Sequence, residues 1–342
     1  MRKLLLLAGI GFLVVSGFSL PAGGREITDV YGRKFHVPDR ARKVFSTGPS
    51  GTYLLYAIDP TMLAGLNFPV REKERKYLFN CVTRIPVIGW FGQGQTPNKE
   101  TLLAAHPDIV FSSKLDQELS TKVYETMKGM NMPVIEMTLD RLSDYPDAFL
   151  GVGRILGREE RAGKLADYSR ATLAQAAALR AGIPNCKKVS VYYAEGPDGL
   201  STECDTSRHV ELIRLAGGMN VHRCVARNPY GLEKVSLEQV LLYNPEVILV
   251  MDRGFFRKIF QDPIWRKIRA VKEKRVYLIP SEPINWFDRP PSFMRFIGLK
   301  WVMNLLYPHE YRIDIVKETR DFYRLFLGVD LSDAETRKIV YR

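Results

Sequence analysis

Short apolar segments alternate with longer stretches of helical character along most of the chain. In the first half the apolar segments lie at 43–46, 62–67, 87–90, 109–111 and 134–137, and the second half repeats the pattern at 189–193, 247–250 and 276–279. Continuous apolar runs bounded by Pro or Gly are typical of buried strands, and their alternation with helices indicates parallel sheets. We therefore predict an α/β fold.

One local unit occurs twice in the sequence. The segments 100–111 and 238–249 both read Glu-x-x-Leu-x-x-x-Pro-acid-apolar-x-apolar. Each predicts a short helix with a glutamate in its first turn, which ends before a proline and is followed by a strand. The recurrence of the unit in the second half predicts two lobes of similar design.

A long helix is predicted between the two halves. Residues 158–181 are rich in Ala, Leu, Arg and Glu and contain one Gly and no Pro, so they favour a single helix roughly 36 Å long. The predicted organisation is an N-terminal lobe over 24–157, a linking helix over 158–182 and a C-terminal lobe over 183–342. A stiff helix between two lobes leaves a groove, and a groove is where a ligand would bind.

Residues 1–23 predict a secretory signal peptide. Arg2 and Lys3 precede an apolar stretch that is interrupted by glycines and followed by Pro-Ala-Gly-Gly, which is the order of regions in such a peptide. A permanent anchor helix is the alternative, although it needs about 20 apolar residues. No other segment approaches that length, so a multi-spanning membrane protein is excluded. We predict a mature protein in a periplasmic compartment.

Composition narrows the class of protein further. The 342 residues are 46% apolar and 26% charged, close to a globular average, and the length suits two lobes of roughly 150 residues each. The formal net charge of +12 is weak evidence for an anionic ligand. Because the chain is predicted to be exported, nucleic acid is not expected as a partner.

The cysteines and histidines predict a disulfide more readily than a metal site. An oxidising compartment permits disulfides, and Cys204 and Cys224 are the preferred pair because they flank one short predicted helix. Buried free thiols are the alternative. The histidines are scattered and lack the spacing of a zinc site, so no intrinsic metal or cofactor is predicted. His209 could still complete the coordination of a metal that arrives already chelated.

A set of motifs follows the chain in a recognisable order. It comprises Ile-Thr-Asp-Val-Tyr-Gly-Arg at 27–33, Pro-Asp-Ile-Val at 107–110, Met-Pro-Val-Ile at 132–135, Leu-Ala-Gly-Gly-Met-Asn-Val at 215–221 and Arg-Val-Tyr-Leu-Ile-Pro at 275–280. With the long helix, the set resembles the periplasmic substrate-binding proteins of ABC importers for iron-siderophore complexes and vitamin B12. The resemblance implies two lobes, each with a central, mostly parallel sheet flanked by helices. It also implies delivery of cargo to an inner-membrane ABC permease, and we expect the protein to be a monomer.

The resemblance gives the repeated unit a second reading. In that family one acidic residue on each lobe docks onto arginines of the permease, and by motif position these residues would be Glu100 and Glu238. Stabilisation of the helix dipole is sufficient to explain each glutamate alone. The two interpretations are compatible.

The same resemblance places the cargo between strand-end loops of both lobes. The contact residues that we predict are Tyr53, Trp90, Phe91 and Gln93 in the first lobe and Tyr193, Arg227, Tyr230, Arg253, Trp286 and Arg289 in the second. Aromatic faces would cover the organic surface of a chelate, and Arg and Tyr would donate hydrogen bonds to its anionic oxygens. The alternative for the tryptophans is that they belong to the cores of the lobes.

These observations predict a cargo receptor and not an enzyme. The first choice of cargo is a ferric siderophore, with cobalamin, haem and a nickel chelate as alternatives. An exported metalloenzyme or hydrolase of related fold is the main rival. However, the segment 48–51, Gly-Pro-Ser-Gly, lacks the residue order of a nucleophile elbow, and no phosphate-loop motif occurs.

Overall fold

The computed structural model of the protein describes residues 24–28, 32–92, 94–113, 117–226 and 231–341. The predicted signal peptide lies outside these residues. The strands are β1 (Gly24–Thr28), β2 (Lys34–Pro38), β3 (Val44–Ser46), β4 (Ile109–Ser113), β5 (Val134–Met137), β6 (Ser190–Ala194), β7 (Ser201–Thr202), β8 (Met219–Asn220), β9 (Glu233–Lys234), β10 (Val247–Val250) and β11 (Val276–Leu278). The fold is α/β, as predicted.

Helices connect most of these strands. They are α1 (Pro49–Ile58), α2 (Lys99–Ala105), α3 (Gln117–Gly129), α4 (Tyr145–Leu156), α5 (Glu159–Gly182), α6 (Glu211–Leu215), α7 (Leu237–Tyr243), α8 (Arg253–Lys258), α9 (Arg269–Lys272), α10 (Arg295–Leu306), α11 (Ile315–Phe322) and α12 (Asp333–Val340). Short turns of 3-10 helix lie between them, among them Glu72–Tyr77.

Two parallel sheets form the centres of the two lobes. The first has the strand order β3-β4-β5 and the second the order β11-β10-β6-β8. Their strands are almost wholly buried, which explains why they appear in the sequence as continuous apolar runs. The apolar runs at 62–67 and 87–90, which we expected to be strands, form only isolated bridges.

Helix α5 occupies the position of the predicted linking helix. Its 24 residues correspond to about 36 Å of helix. One side of it is buried, and Ala162 of this helix lies so close to Gly153 of α4 that a Cβ on that glycine would be 2.2 Å from the alanine. The helix is therefore packed between neighbours along its length, which stiffens the connection between the two sheets.

The C-terminal helices return to the first lobe. The hydroxyl of Tyr56 in α1 donates a hydrogen bond to the carbonyl of Leu327 (3.1 Å), and the rings of Tyr77 and Tyr323 meet edge to face at 6.0 Å. One apolar core consequently runs from β3 through α5 into α10 and α11. The predicted division into lobes therefore fits the two sheets. The helices at the end of the predicted C-terminal lobe, however, also pack against the first lobe.

Candidate functional site

A cavity of about 400 Å³ lies between the two lobes. Its first wall comes from α1 and the segment 66–78, and its second from the loop 283–290 that follows β11. Most of the lining is apolar, including Leu66, Val70, Leu78 and Ile284, and the polar side chains are fewer. Apolar walls with a small number of convergent polar groups are the usual design of a site for an organic ligand.

The start of α1 is held in place by a buried amide. The side chain of Asn67 donates hydrogen bonds to the carbonyls of Ser46 (3.0 Å) and Gly89 (2.9 Å) and accepts one from the hydroxyl of Thr52 (2.6 Å). It therefore ties together the end of β3, the first turn of α1 and the loop at 89. This network fixes the wall from which Tyr53 faces the cavity.

Tyr53 offers its hydroxyl as a neutral donor. Burial raises the pKa of this tyrosine well above its ordinary value, and the charge of Glu74 adds to the effect. The hydroxyl consequently keeps its proton throughout the neutral range and can donate a hydrogen bond to an acceptor in the cavity.

Arg71 is the cationic group of the first wall and is paired within its own segment. Its Nε donates to Oε1 of Glu74 at 2.5 Å, and Oε2 of the same carboxylate accepts from the backbone N–H of Arg71 at 2.9 Å. The hydrogen bond to Glu74 is the main reason why the pKa of Arg71 is raised, and the negative charges of Glu74 and Glu282 contribute. Glu282 directly precedes the loop of the second wall, so charges on the two sides of the cleft act on each other.

Arg289 is the cationic group of the second wall. Its Nε donates to Oε1 of Glu195 and its Nη2 to Oε1 of Glu203, both at 2.5 Å. Asp288 Oδ2 lies 3.4 Å from the same Nε. We call Glu195, Glu203 and Asp288 the buried acidic cluster, because no more than 1% of any of the three is exposed.

Further contacts fix the buried acidic cluster. Glu203 accepts hydrogen bonds from the hydroxyl of Ser207 (2.8 Å) and the backbone N–H of Leu232 (2.9 Å), and Asp288 Oδ1 lies 2.6 Å from Nδ1 of His209. Burial raises the pKa of Glu195 to about 7, against the lowering effect of Arg289. The second wall thus presents a guanidinium whose position is set by carboxylates beneath it.

The predicted contact residues differ in where the structure places them. Tyr53 and Arg289 line the cavity. Trp90 is half-buried at the rim, where its ring centroid lies 5.8 Å from that of the lining residue Phe68. Arg253 is close by, with Nη2 3.7 Å from Glu282. Gln93, Arg227 and Tyr230 lie outside the described residues.

Three predicted contact residues are corrected, because they are buried in the cores of the lobes. Phe91 is 3% exposed and packs in a first-lobe cluster, while Tyr193 and Trp286 are fully buried. Tyr193 packs against Phe287 with ring centroids 4.8 Å apart. Tyr193 lies in β6, where residues 191–194 are all buried, and Phe91 and Trp286 lie in loops that place their rings in the core. We therefore no longer expect these three residues to touch a ligand.

The metal role considered for His209 is also corrected. This histidine is 6% exposed and its Nδ1 faces Asp288, so it belongs to the support of the second wall. Among the described residues, the group of His, Cys and acidic atoms close enough to hold a metal ion is Cys204, His222 and Cys224. Two of these are already joined as a disulfide.

The disulfide between Cys204 and Cys224 is confirmed, with Cα atoms 4.9 Å apart. Cys81 and Cys186 are exposed and unbonded, which differs from the alternative of buried thiols. The bridge closes the segment that carries Ser207 and His209, next in sequence to Glu203. It therefore braces the segment whose side chains support the buried acidic cluster.

Several residues of the site were missed in the sequence. The run 71–76 alternates in charge, a pattern typical of a solvated face, yet Arg71 and Glu74 line the cavity. Asn67 and Glu203 belong to no motif in the sequence that would indicate a binding site. The arginine and glutamate three residues apart are compatible with an exposed 3-10 turn and with a cavity wall, and only the tertiary structure distinguishes the two.

The repeated unit has the same geometry in both lobes. Glu100 and Glu238 are the second residues of α2 and α7, and both are exposed. The helices begin at capping side chains, Asn98 and Ser236, and both end at a residue with left-handed backbone. The two carboxylates therefore occupy equivalent positions on the two lobes.

The acidic residue after each proline has a structural role. Asp108 accepts a hydrogen bond from the backbone N–H of Lys43 (2.9 Å), just before β3, and Glu246 accepts one from the N–H of Ser190 (2.9 Å), at the start of β6. Each carboxylate joins its strand to the neighbouring strand of the same sheet. This explains why the repeated unit keeps an acid at that point.

Comparison with known proteins agrees with this architecture. A profile of the periplasmic binding protein family matches residues 88–283. A solved ABC transporter solute binding protein from Sulfurospirillum deleyianum is 37% identical, has a TM-score of 0.87 and is similar over 92% of this chain and 98% of that chain.

Two curated relatives are more distant. The molybdate-binding protein MolA of Haemophilus influenzae is 25% identical over 326 residues, which are 88% of this chain and 90% of MolA. The high-affinity heme uptake system protein IsdE of Staphylococcus aureus is 26% identical over 230 residues, 64% of this chain and 75% of IsdE. Within the described part of the chain, no helix has the length and apolar character needed to cross a membrane.

Proposed function

The chain belongs to the periplasmic binding protein family and is the substrate-binding component of an ABC transporter, and from this premise we propose that it captures a metal chelate in the cleft cavity. Its relatives are transport binding proteins and not enzymes. In this proposal the protein has no chemistry of its own. It encloses the chelate between Tyr53 and Arg71 on one lobe and Arg289 on the other, then delivers it to an inner-membrane permease.

The size and character of the cavity carry the proposal. A volume of about 400 Å³ lies within the range of pockets for organic ligands, and a bare tetrahedral oxyanion would leave much of it empty. Apolar side chains such as Leu78 and Ile284 would contact the organic part of the cargo. Tyr53 and the two arginines would donate hydrogen bonds to its oxygen atoms.

The nature of the chelate is the finer part of the proposal. A ferric siderophore remains our first choice, and cobalamin, haem and a nickel chelate are alternatives of similar chemistry. Molybdate is a second candidate, because the molybdate-binding protein MolA is similar to this chain over 88% of this chain's length. The apolar lining favours an organic complex over that small anion.

We propose that Glu100 and Glu238 dock onto the permease. Their equivalent, exposed positions on two rigid helices suit a two-point contact in which each carboxylate meets an arginine. The same two helices expose leucines, Leu103 at 49% and Leu242 at 79%, which could add apolar contact area beside each carboxylate. Charges of this kind affect the rate of association more than affinity.

Titration of the purified mature protein tests the cargo proposal. The probes are a ferric trihydroxamate, haem, cobalamin, a nickel–histidine complex and molybdate, and Trp90 at the rim is the fluorescent reporter. We expect an organic chelate to bind, and Tyr53→Ala or Arg71→Ala to weaken binding at least tenfold. Tyr124→Phe is the control, because Tyr124 is an exposed tyrosine on α3, away from the cavity. Binding of molybdate alone, or wild-type affinity in both cavity variants, would overturn the proposal.

A further inference from the structure

Each arginine at or beside the cavity, within the described residues, already has a carboxylate partner. Arg71 is paired with Glu74 on the first wall. On the second wall Arg289 is held by two glutamates of the buried acidic cluster, and Arg253 lies 3.7 Å from Glu282. The positive charges that face the cargo are therefore compensated before any cargo arrives.

At the second wall the buried carboxylates are more numerous than the arginines. The three carboxylates of the buried acidic cluster share one guanidinium, that of Arg289, and one imidazole, that of His209. Glu282 is also only 5% exposed, and its negative charge helps to raise the pKa of Arg71 on the other side of the cleft. Even where Glu195 is protonated, the carboxylates of Glu203, Asp288 and Glu282 outnumber the two arginines, Arg289 and Arg253, at this wall. All of these carboxylates are shielded from solvent.

Buried charges of one sign have a predictable effect on a ligand. Water screens them poorly, so their interaction with a nearby charge is much stronger than on the surface. A cargo with a charge of about −2 or −3 would add negative charge above carboxylates that cannot move away, and juxtaposed like charges disfavour binding. A neutral or positively charged complex has no such penalty.

We infer that the cavity selects metal complexes whose net charge is zero or positive, and discriminates against anionic complexes and bare oxyanions. The inference rests on the proposed function and names the substrate class. Among ferric siderophores it favours hydroxamate complexes, which are neutral or cationic, over tris-catecholate complexes, which carry a charge of about −3. It also separates this chain from a receptor for molybdate. Arg289 then donates hydrogen bonds as a guanidinium whose positive charge is offset by the carboxylates of Glu195 and Glu203.

A charge series on the wild-type protein is the first test. The probes are a ferric trihydroxamate, a neutral nickel bis-histidine complex, a ferric tris-catecholate and molybdate, each titrated at the same pH and ionic strength. We expect at least one of the first two to bind at least tenfold more tightly than either anion. Tighter binding of an anion would overturn the inference and leave a chelate receptor intact, whereas binding of no organic chelate would overturn the proposed function with it.

Removal of one buried charge is the second test. Glu203→Gln keeps the shape of the side chain and deletes a negative charge beneath Arg289, so the ratio of affinities should shift at least tenfold toward the anionic probes. Glu195→Gln should shift the ratio in the same direction at a pH above 7, where this carboxylate is ionised. It serves if the first variant does not fold, as judged by circular dichroism. Glu118→Gln is the control, since Glu118 is exposed on α3. An unchanged ratio in a folded variant would overturn the inference.

Discussion

Removal of the bridge between Cys204 and Cys224 tests how the second wall is braced. The two cysteines are 20 residues apart in the sequence. A cross-link that closes a loop of about this length is expected to stabilise the folded protein by about 3 kcal/mol at 25 °C, because it reduces the conformational entropy of the unfolded chain. The double variant Cys204→Ala and Cys224→Ala should lose that amount.

Urea denaturation of the mature protein, followed by circular dichroism, measures the effect. With a slope of about 3 kcal/mol per M, the loss corresponds to a midpoint lower by about 1 M. Reductant should move the wild-type curve to that of the variant and leave the variant unchanged. The matched control is Cys81→Ser with Cys186→Ser, because both are exposed and unbonded, and its free energy of unfolding should stay within about 0.5 kcal/mol of wild type.

Cargo affinity shows whether the disulfide supports the binding site or only stabilises the folded chain. Glu203 directly precedes Cys204 and holds Arg289, so the double variant should also bind cargo more weakly under conditions in which it is fully folded. The reasoning is refuted if the midpoint in urea does not change on reduction. It is also refuted in its second part if affinity is unchanged while stability falls.

Three further predictions concern packing, titration and docking. Gly298→Ala would place its Cβ 1.9 Å from a backbone carbonyl oxygen, and it should lower the free energy of unfolding by about 1–3 kcal/mol. Gly163 is a helical site with nothing within 4 Å of an added Cβ, so Gly163→Ala should raise the free energy of unfolding by up to about 1 kcal/mol. Urea denaturation measures both changes. Burial raises the pKa of Glu195 from 4.5 to about 7, so its contribution to stability is present below pH 4.5 and is lost as the pH rises to about 7. The difference in unfolding free energy between wild type and Glu195→Gln should therefore change within that pH window. A difference that does not change with pH would contradict the prediction. Glu100→Ala with Glu238→Ala should leave cargo affinity unchanged and lower transport in cells, and a primary loss of affinity would reject the docking role.

The docking prediction has a matched control in the long helix. Glu159 is exposed in the first turn of α5, and Glu100 and Glu238 are also exposed in the first turns of their helices. Glu159 is therefore a chemically matched control. Glu159→Ala should transport cargo at the wild-type rate. An equal loss of transport in this variant would mean that any first-turn glutamate has the same effect.

Much of the fold could be predicted because its signals are local. Fully buried strands such as β4 and β10 are continuous apolar runs, and the repeated unit combines a capped helix, a proline and a strand within twelve residues. The disulfide could be anticipated from the two cysteines that flank a short helix. Each of these features depends on neighbours in the sequence, which is why periodicity and spacing reveal them.

The walls of the cavity depend on distant parts of the chain and were only partly foreseen. Trp286 lies in a loop rich in polar residues, and nothing local indicates that α10 and Tyr323 cover it. Arg71 looks like a surface residue because its partner is three positions away. Glu203 becomes important only when the loop after β11 brings Arg289 above it, a contact across 86 positions of sequence.

The location of the metal in a cargo-loaded crystal tests the central claim most directly. A ferric trihydroxamate or nickel complex that binds in the titration would be co-crystallised with the mature protein, and diffraction would be recorded at the absorption edge of its metal. We predict one strong anomalous peak in the cleft cavity, between Tyr53 and Arg289. A peak at Cys204, His222 and Cys224, or anywhere else on the surface with the cavity unoccupied, would contradict the account.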